Sequence, residues 1–439
     1  MPSPPAFPPL RSAIAGVPIV ELARQFGTPT YVYDAAKILE RINDLRAFDV
    51  IRYAQKACSN IAILDLCRRN GVLVDAVSAG EIGRALAAGY STTGDPPPIV
   101  YTADIFDREA LELVIAKDIH VNCGSSDMID QLGERAPGRH ITLRLNPGFG
   151  HGHSQKTNTG GEGSKHGIWH EQLADSLRRA DHHGLGISGL HMHIGSGTDL
   201  AHLAHVCGAL ERAALDVGRS LTTISAGGGL PVPYKTDQTY VDLEAYFQLW
   251  DATRKRLEDR FGHKLRLEIE PGRYLVAECG FLVSEICAVK QQGGKTYYLI
   301  DAGFNNLARP ILYGSYHPMS ICPRGLTPPA VTGEPKTDSL TPGDLSDRPL
   351  LDVVVGGPLC ESGDIFTQEE GGFVCTRQLP AAQIGDLLII EVAGAYGFVM
   401  GSNYNSKPLA AEVLIRDGQA DWVRHRQTLE DLLRGERIP

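Results

Sequence analysis

The sequence predicts an α/β protein, a closed (β/α)8 TIM barrel with a C-terminal all-β domain, and three observations carry that prediction. Eight short β-branched runs, near 50–55, 73–77, 98–102, 119–122, 141–145, 187–194, 222–226 and 266–270, alternate with stretches of helical periodicity such as 62–69, 80–88 and 200–217. Nearly every polar cluster falls just after one of those runs, the end at which barrel enzymes carry their working groups. Past about residue 285 strand-like runs continue (296–300, 351–355, 387–390 and 411–415) with no long helices between them. Alternation alone also suits a doubly wound open sheet. The placement of the polar clusters favours the barrel.

The chain opens on a Pro-rich leader with a short helical piece over 19–26, closed by Gly27, and an extended Tyr31-Val32-Tyr33. The expected organisation is a leader, 1–30, packing with the β domain, then the barrel over 31–285 and the β domain over 286–439. A Gly/His-rich loop at 148–167 is long for a βα connection and reads as a lid. The Pro/Gly/Thr/Asp-rich stretch 318–348 reads as an irregular connection.

Composition bounds the partners. With 43% hydrophobic and 21% charged residues the chain is globular in character. Its net charge of -10 argues against nucleic acid or an anionic membrane surface, which call for a basic face. Nine scattered cysteines without a C-x-x-C suggest neither a zinc ribbon nor a disulfide framework. The start shows no basic region followed by an apolar run, and no stretch reads as a membrane span. A cytoplasmic protein of a reducing compartment is the expectation.

Lys56 closes the first barrel strand, where a desolvated lysine can lose its proton and attack a carbonyl. After the seventh strand, Gly227-Gly228-Gly229 allows backbone N–H groups close to an anion; a plain strand-to-helix turn is the rival reading. No dinucleotide fingerprint accompanies it. Glu270-Pro271-Gly272-Arg273 ends the eighth strand. Its glutamate suits a heterocyclic nitrogen and its arginine a phosphate or carboxylate, against a structural ion pair at the rim. His191 and His193 share one strand face, which suits either zinc or a stacking imidazole at His193 with a phosphate-binding hydroxyl at Ser196. The second reading is preferred, because no further ligand stands at obvious positions on neighbouring strands. In the β domain, Cys360 and Glu361 lie in a Gly-rich loop, and Tyr396 is flanked by Gly394 and Gly397.

Taken together, the motifs YAQKACSN, RLNPGFGHGHSQKTNTGGEGSKHGI, HMHIGSG, SAGGGL, EIEPGRYLVAECG, DAGFNNLARPILYGSYH, GGPLCESGD and GAYGFVMGSNYN resemble the diaminopimelate decarboxylase family. These are fold-type III pyridoxal-phosphate enzymes, with alanine racemase and ornithine decarboxylase as relatives. The resemblance runs from about Gly27 to about Leu432. It implies an alanine racemase-like barrel, pyridoxal 5'-phosphate as cofactor and Lys56 as the Schiff-base lysine. It further implies that His193 stacks on the ring, Ser196 with Gly227, Gly228 and Gly229 holds phosphate, and Glu270, Pro271, Gly272 and Arg273 hold ring and phosphate. Arg273, Arg309, Tyr313, Glu361 and Tyr396 are implied substrate contacts, Tyr396 also touching cofactor, and Cys360 an implied proton donor. Cys360 and Glu361 then come from a partner subunit, so that a homodimer shares its active sites. The implied reaction turns meso-2,6-diaminopimelate into L-lysine and CO2, the last step of lysine biosynthesis; D-lysine or D-ornithine is the alternative substrate. Where the family commonly has Asn, this chain has Cys58.

Overall fold

The computed structural model describes residues 5–150, 160–193, 199–218, 220–324 and 348–439. It divides into two compact units. The first comprises 39–231 and 241–275; the second comprises the N-terminal residues to 38, the segment 232–240 and everything from 276 onward.

The first unit is an eight-stranded parallel barrel. Strands Val50–Ala54, Leu73–Ala76, Ile99–Ala103, His120–Cys123, His140–Asn146, Gly186–Met192, Thr223–Ser225 and Arg266–Ile269 pair in that order, and the eighth pairs back with the first. A two-residue strand, Ile168–Trp169, adds to the fifth beyond the expected eight. Parallel strands covered by helices need apolar residues on both faces, and these runs supply them. Across the closing seam the buried Arg52 guanidinium donates to both oxygens of Glu268 at 3.1–3.2 Å, so these two buried charges are paired. Six of the eight βα turns end in a side-chain helix cap. The side chains of Asn60, Ser78, Asp107, Ser125, Asp199 and Asp242 accept backbone N–H groups of the helices they precede. These caps fix where those six turns stop, and with it where their strand-end side chains sit.

The second unit is a mixed sheet around the 13-residue strand Gly280–Gln292. That strand pairs antiparallel with Lys295–Ile300, Leu387–Ile390 and Thr30–Asp34, and Thr30–Asp34 pairs in parallel with Ala411–Arg416. Helix Ile19–Phe26 presents Ile19, Leu22 and Phe26 to a core that also holds Val32, Val283, Ile389 and Val413. Part of the stretch expected to be irregular is regular: Met319–Cys322 is a buried strand against Leu387–Ile390. Its short apolar run lay under a Pro/Gly-rich composition that hid it. Residues 325–347 lie outside the described residues, as does the centre of the Gly/His-rich loop at 151–159. Among the described residues no helix is long and apolar enough to cross a membrane.

Candidate active site

At the carboxyl end of the first barrel strand the chain makes one 3-10 turn, Gln55–Ala57, in which Gln55 and Ala57 are buried and Lys56 is exposed. The turn is braced on both sides. The Tyr53 hydroxyl donates to the Cys58 carbonyl at 2.8 Å, and the Asn60 side chain caps the following helix. The Ala54 N–H donates to the Pro271 carbonyl at 3.1 Å, tying the lysine's strand to the turn that carries Glu270 and Arg273.

The lysine is surrounded by acids. Burial pushes the Asp75 carboxyl well above the usual range, the Glu270 carboxylate pushes it further, and Thr102 and Lys56 pull the other way. Glu81 is raised by burial too, against a 2.9 Å bond from the Val77 N–H and the nearby Lys56 charge. Asp75 thus feels both Lys56 and Glu270, which places all three at one barrel mouth.

Glu270 stays charged. Burial raises its carboxyl, but the His191 imidazole, with Arg52 and Arg144 behind it, more than offsets this and leaves it below the ordinary glutamate range. His191 Nε2 lies 2.6 Å from Glu270 Oε2, and Ser225 Oγ donates to Oε1 at 3.4 Å. His193 is the opposite case. Burial, and after it the positive charges of Arg144 and Lys56, hold it well below the usual histidine range, so its ring is neutral. Its Nδ1 accepts the Gly228 N–H at 2.9 Å, leaving the ring proton for Nε2.

The glycine turn requires glycine. Gly227 has φ +61°, and a Cβ there would stand 2.4 Å from the Met192 carbonyl oxygen; at Gly228 one would stand 2.5 Å from the Glu270 carbonyl oxygen. The Gly227 N–H reaches Ser225 Oγ at 3.2 Å, so in this conformation two of the three amides serve the protein itself. Ser196 lies outside the described residues. Pro271 and Gly272 are buried, and Arg273 opens the short helix Arg273–Val276.

The second unit carries the remaining candidates. Arg309 and Tyr313 begin and end the helix Arg309–Tyr313, four residues apart and so on one face. The buried Arg309 donates to the Tyr234 hydroxyl and to His317 Nε2, both at 3.0 Å; His317 Nδ1 in turn faces the Glu391 carbonyl oxygen at 3.1 Å. Cys360 and Glu361 are exposed on a loop built by Asp364, which accepts the Phe304 and Leu359 N–H groups at 2.7 and 2.8 Å. The Cys360 N–H donates to the Asn405 side chain at 2.7 Å. Tyr396 sits at φ +56°, a left-handed conformation unusual for a tyrosine and of the kind that concentrates at ligand sites.

Sequence reasoning placed Asp75 and Arg144 among the polar clusters at the strand ends without giving either a role, weighed His191 as a rim histidine or a zinc ligand, and passed over His317. His191, weighed as a zinc ligand, is engaged by Glu270.

Comparison with known proteins agrees with this geometry. Residues 35–277 match the family model of the pyridoxal-dependent decarboxylase, pyridoxal binding domain. Barrel and mouth thus define the class, a pyridoxal-dependent decarboxylase. The residues present fit such a cofactor: a primary amine for its aldehyde at Lys56, an anion for its ring nitrogen at Glu270, and buried polar atoms without partners among the described residues at Asp75 Oδ1, Gln55 Oε1 and His191 Nδ1. The chain is 52% identical to diaminopimelate decarboxylase of Escherichia coli strain K12 over 94% of its own length and 95% of that protein's. A crystal structure of diaminopimelate decarboxylase at 52% identity superposes with a TM-score of 0.88, covering 94% of this chain and 95% of that one. The Helicobacter pylori diaminopimelate decarboxylase complexed with L-lysine, 29% identical, superposes at 0.80 over 94% and 98% of the two chains. The chain belongs to the diaminopimelate decarboxylase family.

Proposed function

We propose that this protein breaks the bond between Cα and one carboxyl carbon of meso-2,6-diaminopimelate, releasing CO2 and L-lysine, with pyridoxal 5'-phosphate as cofactor. The observation that carries the reading is the anionic Glu270 beside neutral His193 at the mouth that also presents Lys56. When bound, the cofactor supplies an electron-poor ring that takes up the electron pair left by the departing carboxyl group. Lys56 holds the aldehyde end. Glu270 keeps the ring nitrogen charged, while uncharged His193 covers the ring face without competing for that anion. The glycine turn, Ser196 and the Pro271-Gly272-Arg273 turn bind the phosphate and ring, and Tyr396 touches cofactor and substrate.

Arg273 and Arg309 fork the carboxylate at the end of the substrate that does not react, Glu361 accepts from the ammonium beside it, and Tyr313 completes the contact. Cys360 returns a proton to the carbon that lost CO2. Because Cys360 and Glu361 are exposed in the single chain, they are suited to serve a second copy, and a homodimer is the working unit. Nine free thiols support a reducing, cytoplasmic setting.

A substrate panel tests the assignment. Turnover should be fast with meso-diaminopimelate and slow with D-lysine and D-ornithine, which lack a distal carboxylate; fast turnover confined to the latter two would overturn it. Arg309→Met should lower kcat/KM for diaminopimelate by about 10²-fold, since a charged hydrogen bond contributes roughly 1.5–3 kcal/mol. It should leave the D-lysine rate nearly unchanged. Equal losses on both substrates would remove Arg309 from distal recognition.

A further inference from the structure

We infer that His191 is a positioning residue for this reaction: it aims the Glu270 carboxylate and keeps it ionised, and so acts on the cofactor's ring nitrogen through Glu270. The inference rests on the reading of Glu270 given above and adds a residue to it.

Strand register puts His191 where this is possible. On the sixth strand it pairs with Arg144 of the fifth and with Ser225 of the seventh, which places the three in one row beneath Glu270. Its side chain is 1% exposed, and its Nε2 meets Glu270 Oε2 at 2.6 Å, a short, charge-assisted contact. Its Nδ1 is buried with no hydrogen-bond partner among the described residues. A histidine that merely braced the scaffold would satisfy both nitrogens. This one makes its hydrogen bond toward Glu270 and leaves the other nitrogen unused.

The groups around Glu270 explain why such help is needed. Asp75 on the second strand repels a charged Glu270, and burial disfavours the charge as well. Arg52 of the first strand is engaged by Glu268, and the Ser225 hydroxyl reaches Oε1 at 3.4 Å, the long end of hydrogen bonding. Arg144 contributes charge to Glu270, and no hydrogen bond joins the two. The backbone of Glu270 is fixed separately, its N–H donating to the Gly227 carbonyl at 2.8 Å. Side-chain aim and charge therefore depend on His191. Removing it leaves a buried carboxyl beside Asp75 with one weak donor, and such a group takes up a proton.

The test is a double-substitution cycle on the cofactor-loaded enzyme. His191→Leu should lower kcat by roughly 10–100-fold, the usual cost of losing a group that orients a functional one, with KM for diaminopimelate within about 3-fold. It should also weaken cofactor binding by about 10-fold and shift the pH at which the visible absorption band of the bound cofactor changes. His191→Gln, which keeps an N–H donor of similar reach, should recover most of both losses. In a Glu270→Gln background, His191→Leu should cost less than about 3-fold more, because its partner is already gone. If the leucine variant fails to fold, His191→Asn, too short to reach Oε2, replaces it with the same expectations.

A loss undiminished in the Glu270→Gln background, or an unaltered spectrum in His191→Leu, would overturn the inference and leave the role of Glu270 standing. A Glu270→Gln enzyme with wild-type rate and spectrum would overturn both.

Discussion

Lys56→Ala is expected to abolish the visible absorbance of the bound cofactor and to lower turnover by roughly 10⁴-fold or more, the scale of losing a covalent group that works as part of a unit. The structure makes compensation hard. Lys56 stands alone on a single braced turn, its neighbours Gln55 and Ala57 are buried, and no other lysine lies on the described barrel turns near Asp75 and Glu81. Alanine suits the turn, whose bracing runs through Tyr53, Asn60 and Ala54, so the variant should fold. Absorbance and near-native turnover surviving together would remove Lys56 from the reaction.

Glu270→Gln should lower kcat by about 10²–10³-fold, comparable to removing one preorganised electrostatic group from a buried site. KM for diaminopimelate should change little, because the charge matters most when the electron pair develops. Asp75 cannot stand in. Burial, the largest cause, pushes its carboxyl well above the usual range against a hydrogen bond from Thr102. A kcat within about 3-fold of wild type, measured under saturating substrate, would show that a charged ring nitrogen is not required.

Much of this was legible in the sequence, for identifiable reasons. The eight strands fell near their expected positions because buried parallel strands require short apolar, β-branched runs such as Val50-Ile51 and Ile99-Val100. Lys56, Glu270 and the glycines stood out because each follows such a run, and chemistry in a barrel collects there. His191 was visible as a residue but not as a partner. Its contact with Glu270 joins positions 79 apart in the chain, and only the closed barrel brings those strands to one mouth. The bonding of Arg309 was hidden in the same way, since Tyr234 lies 75 residues before it and nothing local marks the pair. Met319–Cys322 escaped because its neighbours' composition outweighed four buried residues.

The strand Thr30–Asp34 carries a consequence for how the chain reaches its native state. It lies between two partners that are both made much later, Gly280–Gln292 and Ala411–Arg416. Emerging early from the ribosome, it keeps one edge open until 411–416 follows, whereas each barrel strand from the second onward meets its preceding neighbour as it appears. A chain halted before residue 411 would expose a bare apolar edge of Tyr31, Val32 and Tyr33, an invitation to aggregate that the finished sheet removes.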